Sequence, residues 1–240
     1  MDLFFGFVNI FVYFFISKTL GDVPSSSLDG APSYFAFAAV GSSLLVVMQS
    51  ALGSVSGGVR DGQVTGTLEA VAVQPVKVAE MALGFAAYPV VFALVRVVLY
   101  LLLAEVFLGL GLSNPDWAGL VIMLFATGLA LLGLGVLMGG LVLVLKRSGS
   151  VTALAIFAMG FVGGGFFPLD VLPGWLEGIG KVVPTRYAFD GVRAALFKGT
   201  GWTTDAVVLA IFGCVGLPVS VQVFKWALRR AEASGTLGQY

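Results

Sequence analysis

The feature that most constrains this chain is a series of long apolar runs separated by short polar segments. A bilayer core about 30 Å thick is crossed by roughly 20 apolar residues in an α-helix. Six runs approach or exceed that length: 3–20, 34–59, 78–112, 118–145, 151–167 and 206–228. Only 11% of the 240 residues are charged, which is too few for the surface of a water-soluble domain. The sequence therefore predicts an all-α integral membrane protein, in which residues 1–240 form one domain of six transmembrane helices.

The basic residues of the short loops predict how these helices are oriented, because Lys and Arg concentrate in cytoplasmic loops. An N-terminus on the cytoplasmic side leaves five basic residues outside, four of them in the long segment 168–205. It places the following basic residues inside: Arg60, Lys77, Lys146, Arg147, Lys225, Arg229 and Arg230. We therefore expect a multi-pass protein with both termini in the cytoplasm.

Composition excludes several classes of function. The 13 basic and 13 acidic residues leave no net positive field for binding nucleic acid. The chain has no histidine and one cysteine, Cys214, so we expect no metal site of the cysteine- or histidine-rich kind. Catalysis by a Ser-His or Cys-His pair is excluded for the same reason. An intramembrane enzyme would need acids or nucleophiles that converge at one depth, and the sequence shows no convincing set.

The segment 60–77 reads RDGQVTGTLEAVAVQPVK and predicts a short helix between the second and third runs. Thr67 can cap its start, Glu69 lies in its first turn where the helix dipole favours negative charge, and Pro75 ends it. One helical face carries apolar residues at i, i+3 and i+4: Leu68, Val71 and Ala72. Such a face fits a groove in another protein, and an ordinary capped turn between two spans explains the pattern equally well.

The segment 168–198 predicts two short amphipathic helices between the fifth and sixth runs. Pro173 can start the first helix, which has Trp175 on its apolar face, and Pro184 separates it from the second. Neither helix can cross a bilayer. We expect both to dip into the outer leaflet or to lie on it.

Two motifs in these segments resemble permeases of the type-2 exporter class of ABC transporters. The first is Arg60-Asp61-Gly62 followed by Gly66-Thr67-Leu68-Glu69 and then Gln74-Pro75. The second is Phe166-Phe167-Pro168, then Leu172-Pro173-x-Trp175-Leu176, then Val183-Pro184-Thr185-Arg186-Tyr187 with Asp190 and Arg193. Both lie in the order and at the spacing of that family, and with six spans the resemblance covers essentially the whole chain.

The resemblance implies that residues 66–75 form a coupling helix, which docks into a separate ATP-hydrolysing subunit. The residues that would make this contact are Arg60, Gly66, Thr67, Leu68, Glu69, Val71 and Pro75. The chain's only Gly-Lys pair, Gly180-Lys181, lacks both the first glycine and the Ser or Thr of a phosphate-binding loop. ATP and Mg²⁺ would therefore bind the ATPase partner, with no cofactor in this chain. The other implied partners are a second permease copy or a paralogue, and membrane lipid.

Polar and aromatic residues within the spans are candidates for a substrate pathway, the aromatic ones by resemblance to the family: Phe7, Asn9, Phe11, Tyr13, Gln49, Arg96, Glu105, Phe166 and Phe167. Charges in hydrocarbon are costly and are often functional. Arg96 and Glu105 point to opposite sides of one helix, so they cannot pair within a subunit. Arg96 could instead pair with Glu105 across a dimer, with a carbonyl at Pro89, or with a substrate anion. The Gly-x-x-x-Gly pairs 53/57, 135/139 and 160/164 are more typical of close helix packing.

We expect an exporter in a prokaryotic plasma membrane that moves a hydrophobic or amphipathic cargo, such as a drug or lipid. A glycan exporter of the same family is the alternative. Only Met1 and Asp2 precede the first run, whereas many polysaccharide exporters of the family have an amphipathic helix there. A third possibility is an ion-coupled secondary transporter that uses Glu80, Arg96 and Glu105 as a relay.

Overall fold

The architecture is helical throughout the part of the chain that the structure describes. In a computed structural model, these are residues 2–20, 28–66, 78–112, 115–145 and 148–233, and they contain no β-strand. The long helices are α1 (Asp2–Leu20), α2 (Tyr34–Val64), α3 (Val78–Leu108), α4 (Trp117–Leu145), α5 (Ser148–Val162) and α8 (Thr203–Ala233). Between α5 and α8 lie the short helices α6 (Gly174–Gly180) and α7 (Pro184–Arg193). The predicted all-α class is confirmed for these residues.

Four of the described helices are long and apolar enough to cross a membrane: Tyr34–Gly62, Ala79–Leu108, Trp117–Leu145 and Thr203–Ala231. Two further apolar stretches, Gly6–Leu20 and Gly149–Val162, are shorter than a bilayer-crossing helix. The chain is therefore a multi-pass membrane protein, and the count of six spans stays a prediction.

Two helices end earlier than the apolar runs predict, and glycine is the reason in both. The run 78–112 stops being helical at Leu108, because Gly109 and Gly111 adopt positive φ angles of 63° and 88°. The Glu105 carboxylate secures this end by accepting hydrogen bonds from the N–H groups of Gly111 at 2.9 Å and Leu112 at 3.3 Å. The run 151–167 likewise stops at Val162, just before Gly164 at a φ of 82°.

Glycines allow the central helices to approach closely. A Cβ atom on Gly135 of α4 would overlap the carbonyl oxygen of Ala51 of α2, and one on Gly139 would overlap the Val55 side chain. A Cβ on Gly160 would lie 2.6 Å from Leu45 Cδ2. The packing role predicted for these glycines is confirmed. Among the residues that the structure describes, the prediction is wrong for the pair Gly53 and Gly57, where an added Cβ would meet none of them within 4 Å.

This difference between two glycines gives a matched stability test. We expect Gly135→Ala to lower the free energy of unfolding by about 1–3 kcal/mol, since the new methyl group forces α2 and α4 apart. Gly53→Ala should leave it unchanged or raise it slightly, because alanine favours a helix more than glycine does. Thermal unfolding of the two variants in detergent measures the difference. Equal melting temperatures would show that the contact between α2 and α4 is not tight.

Candidate functional site

A cavity of about 500 Å³, here called the polar cavity, lies among helices α1, α2 and α3. Most of its polar lining comes from the middle of these helices. α1 contributes Asn9 and Tyr13, α2 contributes Ser42, Ser43 and Gln49, and α3 contributes Arg96 and Tyr100. Amide, hydroxyl and guanidinium groups therefore face one space within the membrane-spanning part of the protein.

Helical periodicity brings these side chains together. Asn9 and Tyr13 are four residues apart on α1, as Arg96 and Tyr100 are on α3, so each pair shares a helix face. Gly6 also lies on this face of α1, and a Cβ atom there would overlap the Tyr100 hydroxyl. Because Gly6 has no side chain, the buried Tyr100 of α3 can approach α1 beside the cavity.

Arg96 gives the polar cavity its electrostatic character. It is the one residue with a formal charge among the described residues that line the cavity. Its guanidinium carbon lies 5.1 Å from the centre of the Phe92 ring, which is within cation-π distance. The cavity therefore combines many hydrogen-bonding groups with one guanidinium group.

The structure brings five of the nine pathway candidates together in this cavity: Asn9, Tyr13, Gln49, Arg96 and Phe166. The other four lie elsewhere. The centre of the Phe7 ring lies 5.1 Å from that of Phe11 and 6.2 Å from that of Phe107. Glu105 caps the end of α3. The Phe167 ring packs against the Phe161 ring. A pathway role for any of the nine stays a prediction.

Sequence reasoning missed the serine pair and Tyr100. Ser42 lies seven residues before Gln49, which is two helical turns, and Tyr100 lies one turn after Arg96. Searching for polar residues at helical spacing from Gln49 and Arg96 would have found both positions.

A second depression, here called the apolar groove, adjoins the polar cavity between α2 and α5. Its volume is about 330 Å³, and Ala153, Ile156 and Phe157 of α5 line one side. Leu45, Gln49 and Phe166 line both the groove and the cavity. A polar space therefore adjoins an apolar one.

The outer segment contains the two short helices that the sequence predicts. Pro168 precedes a single 3₁₀ turn at Leu169–Val171, Pro173 precedes α6, and Pro184 is the first residue of α7. Trp175 is largely exposed, and the Tyr187 hydroxyl donates a hydrogen bond to the Lys181 carbonyl at 2.8 Å. The location of these helices at the outer leaflet stays a prediction.

Arg193 at the end of α7 is fully buried and joins three parts of the fold. Its Nη2 atom donates hydrogen bonds to the carbonyl oxygens of Phe37 in α2 at 3.3 Å and of Gly164 after α5 at 2.9 Å. Its guanidinium lies 3.4 Å from the centre of the Phe37 ring. Carboxylate oxygens of Asp29 and Asp190 lie 3.7 Å and 3.9 Å from Nη1. These residues, here called the arginine cluster, connect α7 to the adjacent ends of α2 and α5.

Burial determines how the arginine cluster ionises. Desolvation raises the pKa of the Asp190 carboxyl to about 6, with a further contribution from the negative charge of Asp29. Desolvation also lowers the pKa of Arg193 to about 10, while the two aspartates oppose that change. Arg193 therefore remains a cation at neutral pH, and it is held mainly by backbone carbonyls and by the Phe37 ring.

The predicted ATPase-coupling residues fall mostly outside the described part of the chain. Arg60 is exposed near the end of α2, and Gly66 follows with a positive φ of 70°. The proposed coupling helix near 66–75 extends beyond that glycine. Thr67, Leu68, Glu69, Val71 and Pro75 lie outside the described residues, so their roles stay predictions.

Comparison with known proteins agrees with this architecture. A sequence model of the family described as "ABC-2 type transporter" matches residues 1–197, which include the polar cavity and the arginine cluster. No curated protein and no solved structure matches the chain. The family match covers most of the sequence and all of the cavity-lining helices. This chain belongs to the ABC-2 type transporter family and is the membrane-spanning subunit of an ABC transporter.

Proposed function

We propose that this chain is the permease of an ATP-driven exporter, and that a separate subunit hydrolyses the ATP. The family match over residues 1–197 carries this proposal. The matched region includes the segment 60–77, whose sequence resembles a coupling helix. The Gly180-Lys181 pair lacks the other residues of a phosphate-binding loop, which supports assigning ATP and Mg²⁺ to the partner.

The proposed assembly contains two permease chains and two ATPase subunits, since an ATPase dimer offers two docking clefts. Both chain termini and the segment 66–75 face the cytoplasm in this arrangement. Closure of the ATPase dimer on ATP moves the two docked segments, and the attached helices α2 and α3 transmit that movement into the membrane. Cargo then leaves on the outer side.

The polar cavity and the apolar groove support an amphipathic cargo. Ligand sites are usually concave spaces of about 300–1,000 Å³. Both spaces fall in that range, and the first is lined largely by polar residues while the second is lined mainly by apolar ones. An ion relay through Arg96 and Glu105 has less support, because Glu105 accepts two backbone hydrogen bonds at the end of α3.

Transport by inverted vesicles separates ATP coupling from ion coupling. The vesicles should contain the permease, its ATPase subunit and a fluorescent lipid. We expect uptake to continue after ionophores collapse the ion gradients and to stop when ATP is enzymatically consumed. The opposite pattern would identify an ion-coupled secondary transporter. Transport of a lipid-linked glycan in place of the simple lipid would support the glycan alternative.

A further inference from the structure

The last helix, α8, has one exposed stripe along its length. Its opposite side packs against the protein, where Phe224, Ala227 and Leu228 are buried in a cluster shared with α4. The exposed residues of the stripe recur every three or four positions, as one face of an α-helix requires: Val207, Ile211, Val215, Pro218, Gln222, Trp226 and Arg229. The stripe is apolar as far as Pro218, and it changes character at Gln222.

This change in character falls where a bilayer would end. Gln222 lies 19 residues after Thr203, the first residue of α8, which is about 29 Å of helix. The hydrocarbon core of a bilayer is about 30 Å thick. A bilayer that begins at Thr203 therefore places Trp226 and Arg229, one and two turns beyond Gln222, at the depth of the lipid head groups. Tryptophan is enriched at that depth, and basic residues are enriched on its cytoplasmic side.

We propose that this end of α8 binds the head groups of anionic phospholipids. Arg229 and Lys225 face the lipid phosphate groups, Gln222 donates a hydrogen bond, and Trp226 lies at the boundary between head groups and acyl chains. These four residues are here called the basic surface. The matched family region ends at residue 197, before α8 begins, and the proposal does not depend on the transport function.

The charges of the basic surface suit this partner. Arg229 is exposed, and none of the ion pairs between described residues includes it. Lys225 lies one helical turn before Arg229 and is half-buried. The Arg230 guanidinium carbon lies 5.3 Å from the centre of the Trp226 ring, so a cation-π contact orients the indole. Anionic lipids attract such basic residues at the membrane surface.

A second copy of this chain is the alternative occupant of the stripe. In a dimer whose two-fold axis lies along the membrane normal, an interface centred on this face brings the same residues together at the same depth. Arg229 of one copy would then lie beside Arg229 of the other, and like charges repel. The basic surface is therefore complementary to an anionic lipid and not to itself.

Native mass spectrometry of the purified permease in a neutral detergent measures the lipid preference. The probes are phosphatidylglycerol and phosphatidylcholine with the same acyl chains, added in equal amounts. We expect phosphatidylglycerol to bind at least about fivefold more tightly, the factor that one basic residue near an anionic surface gives. Equal binding of the two lipids would overturn the proposal, whether or not any variant folds.

Variants locate the preference. Lys225→Gln combined with Arg229→Gln should remove it and leave phosphatidylcholine binding unchanged, while Arg229→Lys should keep it because the charge remains. Lys198→Gln is the matched control, since Lys198 is an exposed basic residue of the outer segment, and it should bind lipid like the wild type. A preference that persists in the double variant, or that Lys198→Gln also removes, would show that the basic surface is not the site.

Thermal unfolding separates lipid binding from a purely structural role, because basic residues in a last turn also stabilise a helix through its dipole. Phosphatidylglycerol should raise the melting temperature of the wild type more than that of the double variant. Equal rises would leave only the dipole effect and would overturn the proposal. Glycerol phosphate, which has no acyl chains, should bind far more weakly than phosphatidylglycerol. Equal affinity for the two would identify a site for soluble anions and contradict a lipid surface.

Discussion

Replacing Arg193 by methionine is expected to lower the free energy of unfolding by about 3–5 kcal/mol, the usual cost of removing one partner from a buried ionic cluster. The substitution leaves the carbonyl oxygens of Phe37 and Gly164 without their hydrogen bonds. It also leaves Asp190 without its buried countercharge. Because α7 is attached through this residue to α2 and α5, we expect the outer end of the bundle to loosen first. Thermal unfolding in detergent and proteolysis of the outer loops measure both effects.

Arg186 provides a control on the same helix. It pairs with Asp190 at 3.3 Å, but both side chains are partly exposed. Pairs near the surface usually contribute about 0–1 kcal/mol, so Arg186→Met should change stability little. Arg193→Lys should recover part of the loss, because it keeps the charge but not the planar set of donors. Equal effects of Arg186→Met and Arg193→Met would contradict a special role for the buried arginine.

The second large effect is expected at the cytoplasmic segment. Leu68→Asp combined with Glu69→Arg should reduce ATP-driven transport and capture of the ATPase subunit by about tenfold or more, the range expected when an interface anchor is lost. The first change places a charge on the apolar docking face, and the second reverses the charge near the start of the proposed helix. Transport assays and affinity capture with a tagged permease measure the two losses.

A charge reversal in the outer segment serves as the matched control. Glu177 pairs with Lys181 on α6, in an exposed i, i+4 contact at 2.7 Å. Glu177→Arg reverses a charge just as Glu69→Arg does, but in a segment that we place on the opposite side of the membrane. It should leave ATPase capture at the wild-type level. Normal capture by the Leu68→Asp and Glu69→Arg double variant would show that docking occurs elsewhere.

The class of fold follows from composition because long apolar runs with few charges are stable only as helices in a bilayer. The ends of those helices depended on backbone conformation instead. Gly109 and Gly164 end α3 and α5 through positive φ angles, and neither position stands out because each apolar run contains other glycines. Pro173 and Pro184 were better guides, since proline restricts the chain wherever it occurs.

The candidate site was only partly predictable because it depends on which helix faces meet. Arg96, Asn9 and Gln49 could be selected individually as polar residues in apolar helices, but their common cavity required the packing of α1 against α2 and α3. Glu105 shows the limit of that reasoning, because its carboxylate caps a helix end within the chain. The partners of Arg193 could not be predicted from the sequence either, because two of them are backbone carbonyl groups far away in sequence.

The most direct test of the central claim is transport by purified components in liposomes. The permease is reconstituted alone, with wild-type ATPase subunit, or with an ATPase subunit that binds ATP but cannot hydrolyse it. We expect movement of a fluorescent lipid only with the hydrolysing subunit and ATP present. Equal movement by the permease alone, driven by an ion gradient, would contradict the account.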